Sequence, residues 1–162
     1  MVHIYTTDEQ RVWQNQLPKK NMSALVLVRC NQDVLMLKPS YKNHFVFPGG
    51  VADQNESPRQ TAIRELSEET GISVTEDDLS FTGVSYMPSH NDFPEKIVFS
   101  FLYNCHERPS LHLQADEIES AEWISIDNIL EKSGKKRALY VNIREKLATN
   151  NIPFYSDLSV IP

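Results

Sequence analysis

The amino-acid sequence predicts a mixed α/β fold built on a mixed β-sheet, and three observations point there. Residues 22–30 and 96–105 are apolar, β-branched runs, too short and too strand-like for helices. Residues 58–70 are good helix formers bounded by start and stop signals at both ends. A second helical period, with Leu139, Ile143 and Leu147 at helical spacing, follows the last predicted strand. Strands, helix, strands, helix is the order that results.

Thr6 and Glu9 have capping-box spacing for a short helix through Leu17, with Val12, Trp13 and Leu17 as a partial apolar face. Pro18-Lys19-Lys20 ends it. Residues 1–20 read as an N-terminal extension, 21–150 as the domain proper, and 151–162 as an apolar-flecked tail bounded by prolines. Within the domain, Met22–Cys30 is a buried strand, Asn31-Gln32-Asp33 a turn, and Val34–Leu37 the returning hairpin partner. A polar loop over 38–44 leads to a short strand Phe45–Phe47, which Pro48 ends. Gly49-Gly50 then allows close backbone approach to a ligand.

Ser57 and Gln60 form the capping box of the central helix, Pro58 sits at its first position, and Gly71 stands where a left-handed C-cap belongs. Leu79–Met87 reads as a strand, 88–94 as a loop, and Lys96–Cys105 as the clearest strand in the chain. Residues 106–114 connect it to a last strand, Ala121–Ile126, around Trp123. Asp127 is expected to cap a short helix through Glu131, and Lys136–Thr149 forms the final helix.

Length and charge narrow the functional classes. The 162 residues are enough for one domain with a sizeable core. A net charge of −6 argues against a general nucleic-acid surface, although a bound cation could still admit a nucleotide. Cys30 and Cys105, both in apolar strand-like segments, are expected to be buried free thiols suited to a reducing cytosol. No apolar run reaches membrane-spanning length and no signal-peptide pattern opens the chain, so a cytoplasmic location is expected.

The central helix is where chemistry concentrates. Glu65, Glu68 and Glu69 are related by i, i+3 and i+4 and so point to one side, while Ala62, Ile63 and Leu66 form the apolar stripe. Three like charges on one turn repel, and the single Arg64, four residues before Glu68, cannot neutralise them all. A hard divalent cation can, because Mg²⁺ takes carboxylate oxygens and keeps waters for a phosphate to displace. A merely solvated acidic face is the alternative.

Gly50, five residues, Glu56, seven residues, and then Arg64-Glu65-Leu66-Ser67-Glu68-Glu69-Thr70-Gly71-Ile72 resemble the complete Nudix box. Nine specified positions at fixed spacing make that resemblance specific, although the box covers only about a seventh of the chain. The resemblance implies a Nudix-like α/β/α sandwich and a pyrophosphohydrolase. Its reaction would be Mg²⁺-dependent hydrolysis of a diphosphate linkage in a nucleoside diphosphate joined to another moiety, with Mn²⁺ as a substitute.

It further implies that Glu65, Glu68 and Glu69 hold metal together with the carbonyl of Gly50, that Arg64 orients a carboxylate, and that Glu56 braces the loop. A general base is implied either within the box or in the later acidic loop, where Glu117 matches best by its distance from Trp123 and Glu119 second. Lys38, Lys42 and His44 are candidates for phosphate contact, and Tyr41, Phe45, Tyr86 and Phe93 for stacking on a base. Pro88, sixteen residues beyond Ile72, resembles a spacing in members that hydrolyse ADP-ribose. ADP-ribose or a nucleotide sugar is thereby slightly favoured over a nucleoside triphosphate or a dinucleoside polyphosphate. For His90 a surface role is favoured. The competing reading is a non-catalytic nucleotide sensor on the same fold. A homodimer is compatible with the resemblance, with residues 1–20 or 151–162 as segments that could exchange.

Overall fold

In the computed structural model, which describes residues 5–89, 94–134, 138–149 and 153–157, the first apolar run becomes strand β1 (Asn21–Cys30). Residues 23–28 are buried without alternation, as befits a strand covered on both faces. A turn in which Asn31 takes a left-handed φ of 58° leads into β2 (Asp33–Pro39). Strands β3 (Gly49–Val51), β4 (Ser80–Met87), β5 (Lys96–Cys105), β6 (Ile118–Ser125) and β7 (Phe154–Asp157) complete the sheet. Their order is β6-β2-β1-β5-β4-β7, with β3 attached to β1. Strands β1 and β5 run parallel from Asn21 opposite Lys96 to Cys30 opposite Cys105, and β4 and β7 are also parallel. The remaining pairings are antiparallel. The sheet is mixed, as expected.

Alternation along β1 distributes its side chains between two cores. Ala24, Val26 and Val28 join Leu35 and Leu37 under Ala62 and Leu66 of α2 (Pro58–Thr70). Leu25 and Leu27 join Val34 and Met36 under Leu139, Ile143 and Leu147 of a C-terminal helix, Ala138–Thr149. One helix on each face makes the α/β/α sandwich. The signals read at the ends of α2 are all present: the Ser57–Gln60 capping box, Pro58 in the first turn, and Gly71 at φ 74°.

Helix α1 (Thr7–Gln16) also has its capping box, between Thr6 and Glu9, but none of its residues is buried. Val12 is 55% and Trp13 59% exposed, so this apolar face is not covered by the described part of the chain.

Several expectations are corrected. Phe45–Phe47 is no strand but a single bridge between Val46 and Leu37, because the Phe45 N–H donates instead to the Lys132 carbonyl and Pro48 has no donor. The strand around Trp123 starts earlier, at Ile118, since β2 runs on to Pro39 and pairs with it. It is not the last strand either, because part of the tail pairs with β4. Asp127 caps nothing: Ile126–Asn128 winds as a 3₁₀ turn straight into α3 (Ile129–Lys132), which has no side-chain cap. The C-terminal helix, α4, is described from Ala138, and its expected start at Lys136 lies outside the described residues.

Cys30 and Cys105 are free thiols, side by side on parallel strands. Desolvation, and then the hydrogen bond with Cys30, push the Cys105 thiol up to about 11. Among the described residues, no helix is long and apolar enough to cross a membrane.

Candidate active site

The site is built where α2 passes β3. Gly49 has φ 143°, and a β-carbon there would lie 2.2 Å from the Ala24 carbonyl oxygen. Glycine is therefore required for β3 to reach β1. A β-carbon on Gly50 would lie 2.4 Å from a Glu65 carboxylate oxygen. The close approach expected of this glycine pair is made to the neighbouring strand and to Glu65.

Arg64 organises the N-terminal half of the site. Its Nε and Nη2 donate to the two Glu56 oxygens at 2.9 and 3.0 Å, and Nη1 donates to Glu65 at 2.8 Å and Glu68 at 3.0 Å. Nη2 also donates to the Val51 carbonyl at 3.2 Å. Every N–H of the guanidinium thus has an acceptor. Glu56 in turn accepts from the Asp53 amide and the Thr61 hydroxyl, which ties the loop to the start of α2. The hydrogen bond from Arg64 is the main reason that the Glu56 carboxyl is held down at about 2.

The three helix glutamates share a side of α2 but not an environment. The Glu68 side chain is 54% exposed and that of Glu65 16%. Glu69 is buried, and its carboxylate accepts from the Gly49 amide at 2.8 Å. Burial drives the Glu69 carboxyl up to about 7 despite that hydrogen bond, with the charges of Glu65 and Glu117 adding to the rise and Lys42 offsetting part of it. Burial likewise raises Glu65, against the pull of Arg64.

Glu117 is brought in by backbone contacts that the sequence does not announce. The His112 amide donates to the Thr70 carbonyl at 2.8 Å and the Gln114 amide to the Glu69 carbonyl at 3.4 Å, so the acidic loop is laid across the end of α2. The Glu117 charge is consequently felt by both Glu65 and Glu69. The Ser40 amide donates to the Glu117 carbonyl at 2.8 Å, which draws the β2–β3 loop to the same place. Lys42 arrives with that loop.

The other candidates are dispersed. Lys38 is 2.8 Å from both carboxylate oxygens of Glu119, so these two neutralise each other between β2 and β6. Phe45 is buried in the core, with the Lys132 ammonium 5.1 Å from its ring centroid. The Tyr86 hydroxyl donates to Glu95 at 2.5 Å, and Lys20 lies over its ring. Phe93 and His90 lie outside the described residues. Asp53–Glu56, Gln60, Ile63 and Arg64 line an open concavity of about 460 Å³ that neither Glu65 nor Glu69 lines.

The donor set suits a hard cation: carboxylates in excess of the guanidinium charge, one of them desolvated. As the side chains stand, however, no three Asp, Glu, His or Cys residues among those described are grouped to hold a metal. Arg64 engages Glu65 and Glu68, and Gly49 engages Glu69. Each of these contacts takes one carboxylate oxygen, so a shared metal would be met through the other oxygens of Glu65, Glu68 and Glu69.

A helix with this box, laid against a glycine pair on a mixed-sheet sandwich, defines a Nudix domain. The family model of the NUDIX domain matches residues 19–143, and the chain belongs to the Nudix family. It is 31% identical over 132 residues to an NAD-capped RNA hydrolase, NudC, of Pseudomonas aeruginosa, covering 74% of this chain and 44% of that protein. The chain spans less than half of the length of the first curated relatives it matches. Among solved structures, the NUDIX domain of Shewanella oneidensis NrtR complexed with ADP ribose aligns over 90% of this chain and 99% of that one. Its TM-score is 0.71 at 15% identity. A bifunctional NMN adenylyltransferase/ADP ribose pyrophosphatase of Francisella tularensis, complexed with AMP and a manganese ion, has a TM-score of 0.67 at 23% identity. That match covers 88% of this chain and 45% of the other. At such identities the structures speak for the fold alone.

Proposed function

We propose that this protein is a divalent-metal-dependent pyrophosphohydrolase that cleaves the diphosphate linkage of a nucleoside diphosphate joined to another moiety. The observation that supports it best is the buried Glu69 carboxylate, fixed by the Gly49 amide and facing the like charges of Glu65 and Glu117. Nothing in the packing of α2 needs a carboxylate there, whereas a cation does. Glu65, Glu68, Glu69 and the Gly50 carbonyl would hold Mg²⁺ or Mn²⁺. Such an ion, when bound, supplies charge neutralisation at phosphoryl oxygens and lowers the pKa of a coordinated water.

The chain's own residues have separable tasks. Arg64 holds Glu65 and Glu68 in position, and with all its N–H groups engaged it is a positioning residue rather than a phosphate ligand. Glu117, whose charge is felt by Glu65 and Glu69, would accept a proton from the attacking water. Lys42, whose charge reaches Glu69, would stand beside a substrate phosphate bound there.

ADP-ribose or a nucleotide sugar remains ahead of nucleoside triphosphates as the substrate class. An NAD cap, named for the Pseudomonas relative above, joins adenosine through a diphosphate to a second sugar, as ADP-ribose and nucleotide sugars join a nucleoside to one. The two free thiols support a reducing, cytoplasmic setting.

Turnover should be measured with Mg²⁺ on ADP-ribose, nucleotide sugars, NADH, dinucleoside polyphosphates and nucleoside triphosphates, with products identified by mass. A preference for one class is expected. Glu69→Gln should lower kcat by at least about a hundredfold while leaving the folded state as stable or more so, because a desolvated charge is removed. Turnover that survives Glu69→Gln would overturn the metal site. Tight nucleotide binding with no turnover would instead favour the sensor.

A further inference from the structure

We propose that the Tyr41 ring, braced by Lys42, is the platform on which the substrate's nucleobase stacks. The inference rests on the hydrolase reading for the placement of the diphosphate, but on separate observations for the base.

Tyr41 lies in a tight turn that follows β2, closed by the Lys42 amide donating to the Pro39 carbonyl at 3.1 Å. The turn is pinned from outside as well, by the Ser40 amide on the Glu117 carbonyl. Both ends of the Tyr41 segment are therefore fixed relative to Glu117 and, through the Gln114 amide on Glu69, relative to the end of α2.

On this braced turn, Tyr41 is 70% exposed. An aromatic side chain normally hides its ring in a core or against a neighbour. Of the other aromatic side chains left open among the described residues, Tyr5 and Trp13 lie just before and on the uncovered helix α1, and Phe81 and Tyr155 on β4 and β7 at the opposite end of the sheet from β2.

The Tyr41 ring is not loose, because the Lys42 ammonium lies 4.9 Å from its centroid. That contact holds one face of the ring and leaves the opposite face for a planar partner. The anchoring of the turn on Glu117, and of that loop on the Glu69 carbonyl, keeps the ring beside the carboxylates of the site. A ring next to the carboxylates, one face braced and the other open, is what a heteroaromatic base requires. A sugar or a bare phosphate gains little from it. The chemistry recognised is then a nucleoside at one end of the diphosphate, with the identity of the base weakly specified, because every base has a π-face.

The test compares ADP-ribose with 5-phosphoribosyl diphosphate, which has a diphosphate but no base. In Tyr41→Ala the ratio of kcat/KM for ADP-ribose to that for the baseless compound should fall about tenfold, the usual effect of losing one base–aromatic stack. Tyr41→Phe and Tyr41→Trp should keep the ratio. An unchanged ratio in Tyr41→Ala, or a fall reproduced by Tyr41→Phe, would overturn the platform. If the wild-type protein turned over neither compound, ADP-ribose would be lost as the substrate but not the platform, and calorimetry with AMP and ribose 5-phosphate would still decide the latter. Selective weakening of AMP by Tyr41→Ala supports it. Equal or no weakening of the two overturns it.

Discussion

Arg64 shows what a single side chain does when each of its donors is assigned. Five N–H groups meet Glu56, Glu65, Glu68 and the Val51 carbonyl, so the guanidinium couples the loop, β3 and two helix glutamates at once. Lysine offers three donors from one nitrogen and no planar fork. Arg64→Lys should therefore destabilise the fold by about 1–3 kcal/mol in denaturant titrations, and it should depress kcat more than KM. Charge alone, if it sufficed, would leave both near wild type. The pairing with Glu68 was legible from the i, i+4 spacing. The bidentate clasp on Glu56, eight residues away, was not legible: the resemblance implied only that Arg64 orients a carboxylate and that Glu56 braces the loop, and no helical periodicity joins the two. Glu69 marks the other limit of the sequence. Three glutamates on one side look alike on paper, yet one is buried on an amide and one is largely exposed. That difference depends on where β3 passes.

The glycine pair is where the secondary elements meet, and its two members should behave differently. Gly49→Ala sets a β-carbon against backbone at a φ of 143°, where neither strand can yield. It should cost about 3 kcal/mol or more and lower the melting temperature sharply. At Gly50→Ala the nearest atoms are those at the end of the Glu65 side chain, which can swing aside. It should melt near wild type while losing metal-dependent turnover, and a melting point as low as that of Gly49→Ala would contradict this account. Helix α2 was readable almost to the residue because its capping box, proline and C-cap glycine are local signals. Strand β7 was not, because four residues of a tail have no periodicity of their own and become a strand only by pairing with β4. The expected strand at Phe45–Phe47 failed for the converse reason. It has the apolar composition of a strand, but its donors are taken elsewhere.

Taken as a whole, the molecule would link metal binding to pH if the proposed metal is held by Glu69. Its carboxyl is raised in the folded chain from the ordinary 4.5 to about 7, so between those values the folded state binds more protons than the unfolded one. Stability of the metal-free protein should then be greatest below about pH 4.5 as far as this group is concerned. It should decline as pH rises towards 7, by on the order of 3 kcal/mol. Millimolar Mg²⁺ or Mn²⁺ should reverse the decline, with release of the proton where Glu69 is still protonated. A melt series across pH with and without metal checks this, and a flat metal-free profile would remove Glu69 from the account. The sandwich has another consequence, one for its synthesis. Strand β1 lies at the centre of the sheet, yet its parallel neighbour β5 is made much later, after β2, β3, α2 and β4. Until Lys96–Cys105 leaves the ribosome, the apolar run Ala24–Val28 has an unpaired edge that can recruit another nascent chain. Pairing of such distant segments is slow as well. Soluble yield should accordingly rise when translation is slowed by cold or when chaperones are abundant.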